Sequence, residues 1–264
     1  MRINIVHRET WLHHTNPSVK LLLLLVLFVA VVFIHNPNVL INLTIGFFIL
    51  FIAYTGYPLK YVMLFFLPFL FIFISTASSM ILFGNGETTW FRWGVIHITE
   101  ESFYRGVHLG FRALIFALLG LTFALTTRPV YLFYSLMQQL KLKPKYAYSF
   151  LAAVRLVPIM IEEFQTVHQA LKVRGVADER GIRGKLELMK RYAIPLLSQS
   201  IRRAQRIAVA MEAKRFTNER KRTFYYEMKL SKYDVLFFLY VLIVTLIAYY
   251  LAIAHPYLLI EDVR

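Results

Sequence analysis

Two stretches of this chain that read as helices end in fixed positive charge. One closes on Arg174-Gly175, the other on Ala213-Lys214-Arg215. A guanidinium makes several directed hydrogen bonds to carboxylates or carbonyls, whereas an ammonium acts as a point charge. Small neighbours such as Gly175 and Ala213 let a foreign backbone come close. Tips of this kind suit acidic or carbonyl-lined grooves on a partner. Their plainer role is to complement the helix dipole, worth roughly 0.3–1 kcal/mol per charge, and residue type alone leaves both roles open.

Other reactive groups carry less. Glu162 and Glu163 are adjacent, so on a helix they point apart; they read as solvated charge or a salt bridge to Arg155 rather than an acid/base pair. His13 and His14 are neighbours, and His35, His97, His108, His168 and His255 lack partners at i+3 or i+4, so no metal site is expected. The absence of cysteine excludes disulfides, thiolate metal sites and a Cys nucleophile. GxxxxGK[ST], GxSxG and HExxH are all missing, so no catalytic residue and no cofactor is expected in this chain. Arg112 is the clearest charge inside an apolar run and is either functional or a snorkelling side chain. No nucleic-acid-binding module is recognisable.

The tips need elements to hold them. Phe150, Val154, Val157, Ile161, Phe164, His168 and Leu171 recur at spacings of three and four, which is one face of a helix leading to Arg174. Pro158 lies within it and is expected to kink or break it. Asp178, Gly181 and Gly184 read as a polar link. Leu197, Ile201, Ala204, Ala208 and Met211 then form a second stripe leading to Lys214, with Arg202, Arg203, Gln205 and Arg206 off it. A shorter helix, about Val130 to Leu140, precedes both.

Around this region the chain is apolar. Hydrophobic residues make up 58% of its 264 residues and charged ones 17%, whereas soluble domains are about a quarter charged. Five spans are expected: about Val19–Ile34, Val39–Tyr54, Tyr61–Phe83, Tyr104–Leu125 and Val235–Ala254. The first two are short against the ~20-residue standard, which implies tilt or partial burial. The run Leu21–Ile34 lacks a small-x-small cleavage pattern and reads as a retained span. Asn36-Pro37-Asn38 reads as a turn, and Trp90 and Trp93 suit a membrane interface. Residues 127–232 hold 22 of the 30 Lys and Arg but 8 of the 15 Asp and Glu, a net +14 out of +15. With Arg2, Arg8, Lys20 and Lys60, this places the N-terminus and 127–232 on the cytoplasmic side and the C-terminus outside.

Several motifs carry a resemblance. His14-Thr15-Asn16-Pro17-Ser18-Val19-Lys20-Leu21, Thr126-Thr127-Arg128-Pro129, Arg155-Leu156-Val157-Pro158 with Glu162-Glu163, Val173-Arg174-Gly175, Ile194-Pro195-Leu196-Leu197, Arg202-Arg203-Ala204 and Ala210-Met211-Glu212-Ala213 follow one family's pattern. The chain resembles the transmembrane T component of energy-coupling factor (ECF) transporters, the EcfT/CbiQ family, over almost its whole length. The family's second Ala-Arg-Gly signature stands here as Ala213-Lys214-Arg215, so either Lys214 replaces the arginine or Arg215 takes over from the next position.

The resemblance implies an all-α integral membrane protein with about five transmembrane helices and a cytoplasmic coupling domain of about three, the two long ones crossing. Membrane helices would occupy 1–126, the basic domain 127–232, and the last helix with an external tail 233–264. It implies that Arg174, Gly175, Ala213, Lys214 and Arg215 dock on two ABC-type ATPase subunits, alike or different, which bind ATP and Mg²⁺. It implies that a small membrane S component captures a vitamin or transition-metal ion. Phe150, Val154, Leu197 and Ile201 would contact that component or pack the helices on each other. The setting would be a prokaryotic cell (inner) membrane. Two other functions compete. An anionic-lipid scaffold accounts for the charge, at about 1 kcal/mol per Lys or Arg, but not for two stripes ending in basic tips. An enzyme acting on phosphorylated substrates needs clustered carboxylates or a nucleophile, which the sequence does not offer.

Overall fold

The computed structural model describes residues 8–84, 86, 88–93, 96–175, 181–216 and 223–258. Its elements in chain order are α1 (Trp11–His14), α2 (Pro17–Phe33), α3 (Pro37–Tyr54), α4 (Leu59–Phe83), β1 (Thr89–Trp93), β2 (Ile96–Thr99), α5 (Glu100–Thr126), α6 (Pro129–Gln139), α7 (Pro144–Val173), α8 (Gly181–Ala213) and α9 (Lys232–Ala254). Four of these, α3, α4, α5 and α9, are long and apolar enough to cross a membrane, and α2 is an apolar helix of 17 residues. This is an all-α membrane protein. The chain forms two compact units: 1–135 with 228–264, and 136–227.

In the first unit, helix starts are written in the sequence. The Asn16 side chain accepts from Ser18 N–H at 3.1 Å, the Asn36 side chain from Asn38 N–H at 2.9 Å, and Pro17 and Pro37 follow them at the first helical position. An N-cap Asn followed by Pro is a strong helix opening. The segment Asn36-Pro37-Asn38 is thus the first turn of α3 rather than a separate turn. Thr99 caps α5 by accepting from Ser102 N–H at 3.2 Å, which starts that helix at Glu100, ahead of the expected Tyr104. The expected loop after α4 holds instead a small antiparallel hairpin, with Phe91 opposite Ile98 and a bulge between Thr89 and Phe91. Trp90 on that hairpin is exposed and its ring lies 5.8 Å from Phe103.

The core joins Leu40, Leu43, Phe47 and Phe51 of α3 to Ile115 and Leu118 of α5 and Phe237 of α9. Over half of the α3 span is buried, 56%, against 11% for α4, so α3 is central and α4 lies at the margin. Helix α4 meets α5 at Gly106 and Gly110. A Cβ on Gly106 would stand 2.6 Å from Ile81 Cγ1, and one on Gly110 2.8 Å from the Phe73 ring. Small residues let apolar helices approach when water supplies no drive between them. On the same stretch of α5, Arg112 donates to the carbonyls of Val32 at 3.2 Å and Ile34 at 3.0 Å, and His108 Nε2 lies 3.0 Å from the Ile34 oxygen. These two side chains satisfy carbonyls that the end of α2 leaves open.

In the second unit α7 continues through Pro158 without a break, and α8 runs through Pro195. Helix α8 begins at Gly181, so Gly181 and Gly184 are helical rather than a link, and Asp178 lies outside the described residues. The two long helices are antiparallel. Tyr148 meets Phe216 with ring centroids 5.5 Å apart, Met160 meets Ser200, and Phe164 lies 5.0 Å from Tyr192.

Candidate functional site

Both basic tips are closed by the same backbone device. At the first, Arg174 N–H donates to Ala170 O at 3.2 Å and Gly175 N–H to Lys172 O at 3.1 Å, with Gly175 at φ +70°. At the second, Lys214 N–H donates to Ala210 O at 3.1 Å and Arg215 N–H to Glu212 O at 2.8 Å, with Arg215 at φ +52°. Phe216 N–H also reaches Met211 O at 2.9 Å, completing a left-handed helix stop. The hydrogen bonds and positive φ match at two positions: Lys214 corresponds to Arg174, and Arg215 to Gly175. All five residues, Ala213 included, are exposed. Because the helices are antiparallel, the tips lie at opposite ends of the pair. From Tyr148, beside the second tip, to Arg174 is 26 helical rises, or about 40 Å.

The apolar stripes do not make the α7–α8 contact in the way their spacing suggests. Phe150 is 60% exposed, Leu197 61% and Ile201 67%, and Val154, Val157 and Ile161 are exposed as well. The helices meet on the adjacent faces, where Leu156, Met160, Glu163 and Val167 of α7 and Tyr192, Leu196, Ser200 and Arg203 of α8 are partly covered. Of the first stripe, Phe164 and His168 do take part: His168 Nδ1 lies 2.7 Å from the Tyr192 hydroxyl. Glu163 forms its ion pair with Arg203 of the other helix, not with Arg155. The reason is geometric, since facing helices bring i and j side chains together at the turn where they meet. Beside the first tip, Val167, Ala170, Leu171, Ile194 and Pro195 form an apolar groove with Arg174 and Arg191 at its rim.

A buried polar junction in the first unit joins the two motifs at 14–21 and 126–129. The Lys20 ammonium, one of the basic residues counted for orientation, is wholly buried. It donates to Leu12 O at 2.7 Å, to Thr126 Oγ1 at 3.1 Å and to Thr127 Oγ1 at 3.4 Å. Beside it the Asn16 carbonyl oxygen accepts from the Ser135 hydroxyl at 2.5 Å, and the Asn16 amide group donates to Lys229 O at 3.4 Å. Asp234 accepts from Asn16 N–H at 2.6 Å and from Ser231 N–H at 2.7 Å. Neither Ser135 nor Asp234 stands out in the sequence reading. A serine inside an apolar helix and an Asp at the third position of a helix opening with Ser231 are the signals that mark them. Among the described residues no three His, Cys, Asp or Glu side chains gather as a metal site would require.

A sequence profile of the CbiQ family, described as cobalt transport protein, matches residues 8–226. The chain belongs to the EcfT/CbiQ family. Its relatives include energy-coupling factor transporter transmembrane proteins EcfT from several bacteria. The chain is 24% identical to that of Macrococcus caseolyticus over 253 residues, 92% of this chain and 94% of the relative. It is 28% identical to that of Acidaminococcus fermentans over 233 residues, 85% and 86% of the two chains. It is also 28% identical to that of Thermotoga maritima over 241 residues, 88% and 86%. This EcfT/CbiQ-family chain is a multi-pass membrane component of a transporter. Both basic tips and Asn16, Lys20, Thr126, Thr127 and Ser135 of the polar junction fall within the matched residues, while Lys229, Ser231 and Asp234 lie beyond them.

Proposed function

We propose that the chain is the T component of an ECF-type ABC importer, a non-catalytic subunit that carries movement from two ABC-type ATPase subunits to a substrate-binding S component. The observation that carries this reading is the pair of tips: two exposed basic ends with the same backbone closure, about 40 Å apart on one helix pair. Two separated and equivalent contacts suit two ATPase subunits, which would bind ATP and Mg²⁺ themselves. Arg174 and Lys214 are the charges presented at corresponding positions. The apolar faces of α7 and α8, with Phe150, Val154, Leu197 and Ile201, are exposed and suit the S component, which would bring in a vitamin or transition-metal ion. The +14 charge of 127–232 keeps that region and the N-terminus cytoplasmic, beside anionic lipid, and leaves the C-terminus outside. The setting is a prokaryotic cell (inner) membrane.

The test is gentle purification of the tagged chain from native membranes, with its companions identified by mass spectrometry. The expected companions are one or two ATPases and a small membrane protein. Arg174→Glu leaves the chain in the membrane and removes the ATPases. Full ATPase recovery with Arg174→Glu overturns the docking role of that tip.

A further inference from the structure

The chain passes between its two units twice, outward after Ser135 within α6 and back at Met228. One buried side chain holds both passages. The Asn16 side-chain oxygen takes the Ser135 hydroxyl at 2.5 Å, and its amide group reaches Lys229 O at 3.4 Å. Ser135 is fixed further by the Ser18 hydroxyl at 2.6 Å and by Ser18 N–H at 3.2 Å. Asn16 is also tied to α9, since its backbone N–H donates to Asp234. Just past the boundary the two passages are joined again: Gln138 Nε2 donates to Tyr226 O at 2.6 Å. Asn16, Ser18, Ser135 and Asp234 are all buried, where a lost hydrogen bond is not readily replaced by water. An N-cap needs only one acceptor contact. The further reach of Asn16 to two remote segments is not explained by starting α2.

We propose that Asn16 is a clasp, a positioning residue that holds the outgoing and returning passages together on α2, so that movement of the second unit reaches α2, α6 and α9 as one displacement. This rests on the reading that the second unit relays ATPase movement. A joint free to give at either passage would absorb that movement locally. The clasp stays closed through the ATP cycle.

The lack of native cysteine allows a direct measurement. Cysteines replace Val130 on α6 and Leu230 ahead of α9, both exposed and both in the first unit. The purified chain is spin-labelled and assembled with its co-purified ATPases and small membrane protein. The inter-label distance is then read by electron paramagnetic resonance with MgADP and with MgATP plus vanadate. In the otherwise unchanged chain the distance is the same in both states. With Ser135→Ala, or with Asn16→Asp, which keeps the cap but loses the donor to Lys229, it shifts between the states by roughly 2 Å or more, while ATP hydrolysis is retained. A purely structural role broadens the distance equally in both states, and that result overturns the proposal. So does a state-dependent shift with the clasp intact. Asn16→Asp covers the case in which Ser135→Ala fails to fold. Failure of the wider reading shows separately, as absence of ATPases among the companions of the unsubstituted chain.

Discussion

Arg215 adopts a left-handed backbone conformation at the end of α8, a region that costs a side chain about 1–2 kcal/mol and glycine almost nothing. Arg215→Gly is therefore expected to stabilise that helix end by about 1 kcal/mol, seen as a higher midpoint in thermal unfolding of the detergent-purified chain. An unchanged or lower midpoint means that the Arg215 side chain makes a compensating contact. The same geometry separates the roles of the two tip charges. Lys214 precedes the left-handed residue as Arg174 does, so Lys214→Glu is expected to lower ATPase co-purification more than Arg215→Glu. The reverse order would transfer the contact to Arg215. The sequence left these alternatives open because letters align two ways, whereas the amide of Phe216 bonding to Met211 O allows one. For Lys20 the letters supply a positive charge near a helix start, and only the fold shows four oxygens closing around it.

At the scale of elements, the helices were legible and their contacts less so. Apolar runs and Asn-Pro openings place α2 and α3 within a few residues, because burial in lipid and capping are local effects. The stripe Phe150–Val154–Val157–Ile161 states that a face avoids water but not what covers it, and the facing side of α8 covers a different set. Pro158 did not end α7: a helix loses one hydrogen bond there, and a further 15 residues of helix follow to Val173. The hairpin at Thr89–Thr99 was missed because its polar residues hide the strand alternation. Two predictions belong here. Arg203→Ala leaves Glu163 unpaired at a largely covered contact, so the α7–α8 pair should lose about 1–3 kcal/mol, read as faster proteolysis within 136–227. Gly110→Leu should prevent α4 from seating on α5, since even a Cβ there stands 2.8 Å from the Phe73 ring, and membrane-inserted yield should fall severely. Normal yield would show that α4 can move aside.

Taken whole, the molecule combines a membrane unit closed from both ends of the sequence with a basic unit inserted between its segments. The residues of the junction, Asn16, Lys20, Thr126, Ser135 and Asp234, are far apart in sequence, which is why its parts were visible as motifs while their meeting was not. Among the described residues of the unit that carries the tips, few apolar side chains are buried and many aliphatic ones are exposed. One further consequence follows from α2. Its 17 residues span about 26 Å, whereas its outward side chains, Leu22, Leu25, Val26, Val29 and Phe33, are exposed. A hydrocarbon layer is about 30 Å thick, so α2 matches a thinner layer best, and the Arg112 guanidinium meets the carbonyls at its end. Such mismatch costs fractions of a kcal/mol per Å. Reconstituted in bilayers of increasing acyl-chain length, the chain is expected to lose thermal stability in the thickest ones and to prefer short-chain lipid. The membrane's own thickness thus becomes a setting to which this protein is tuned.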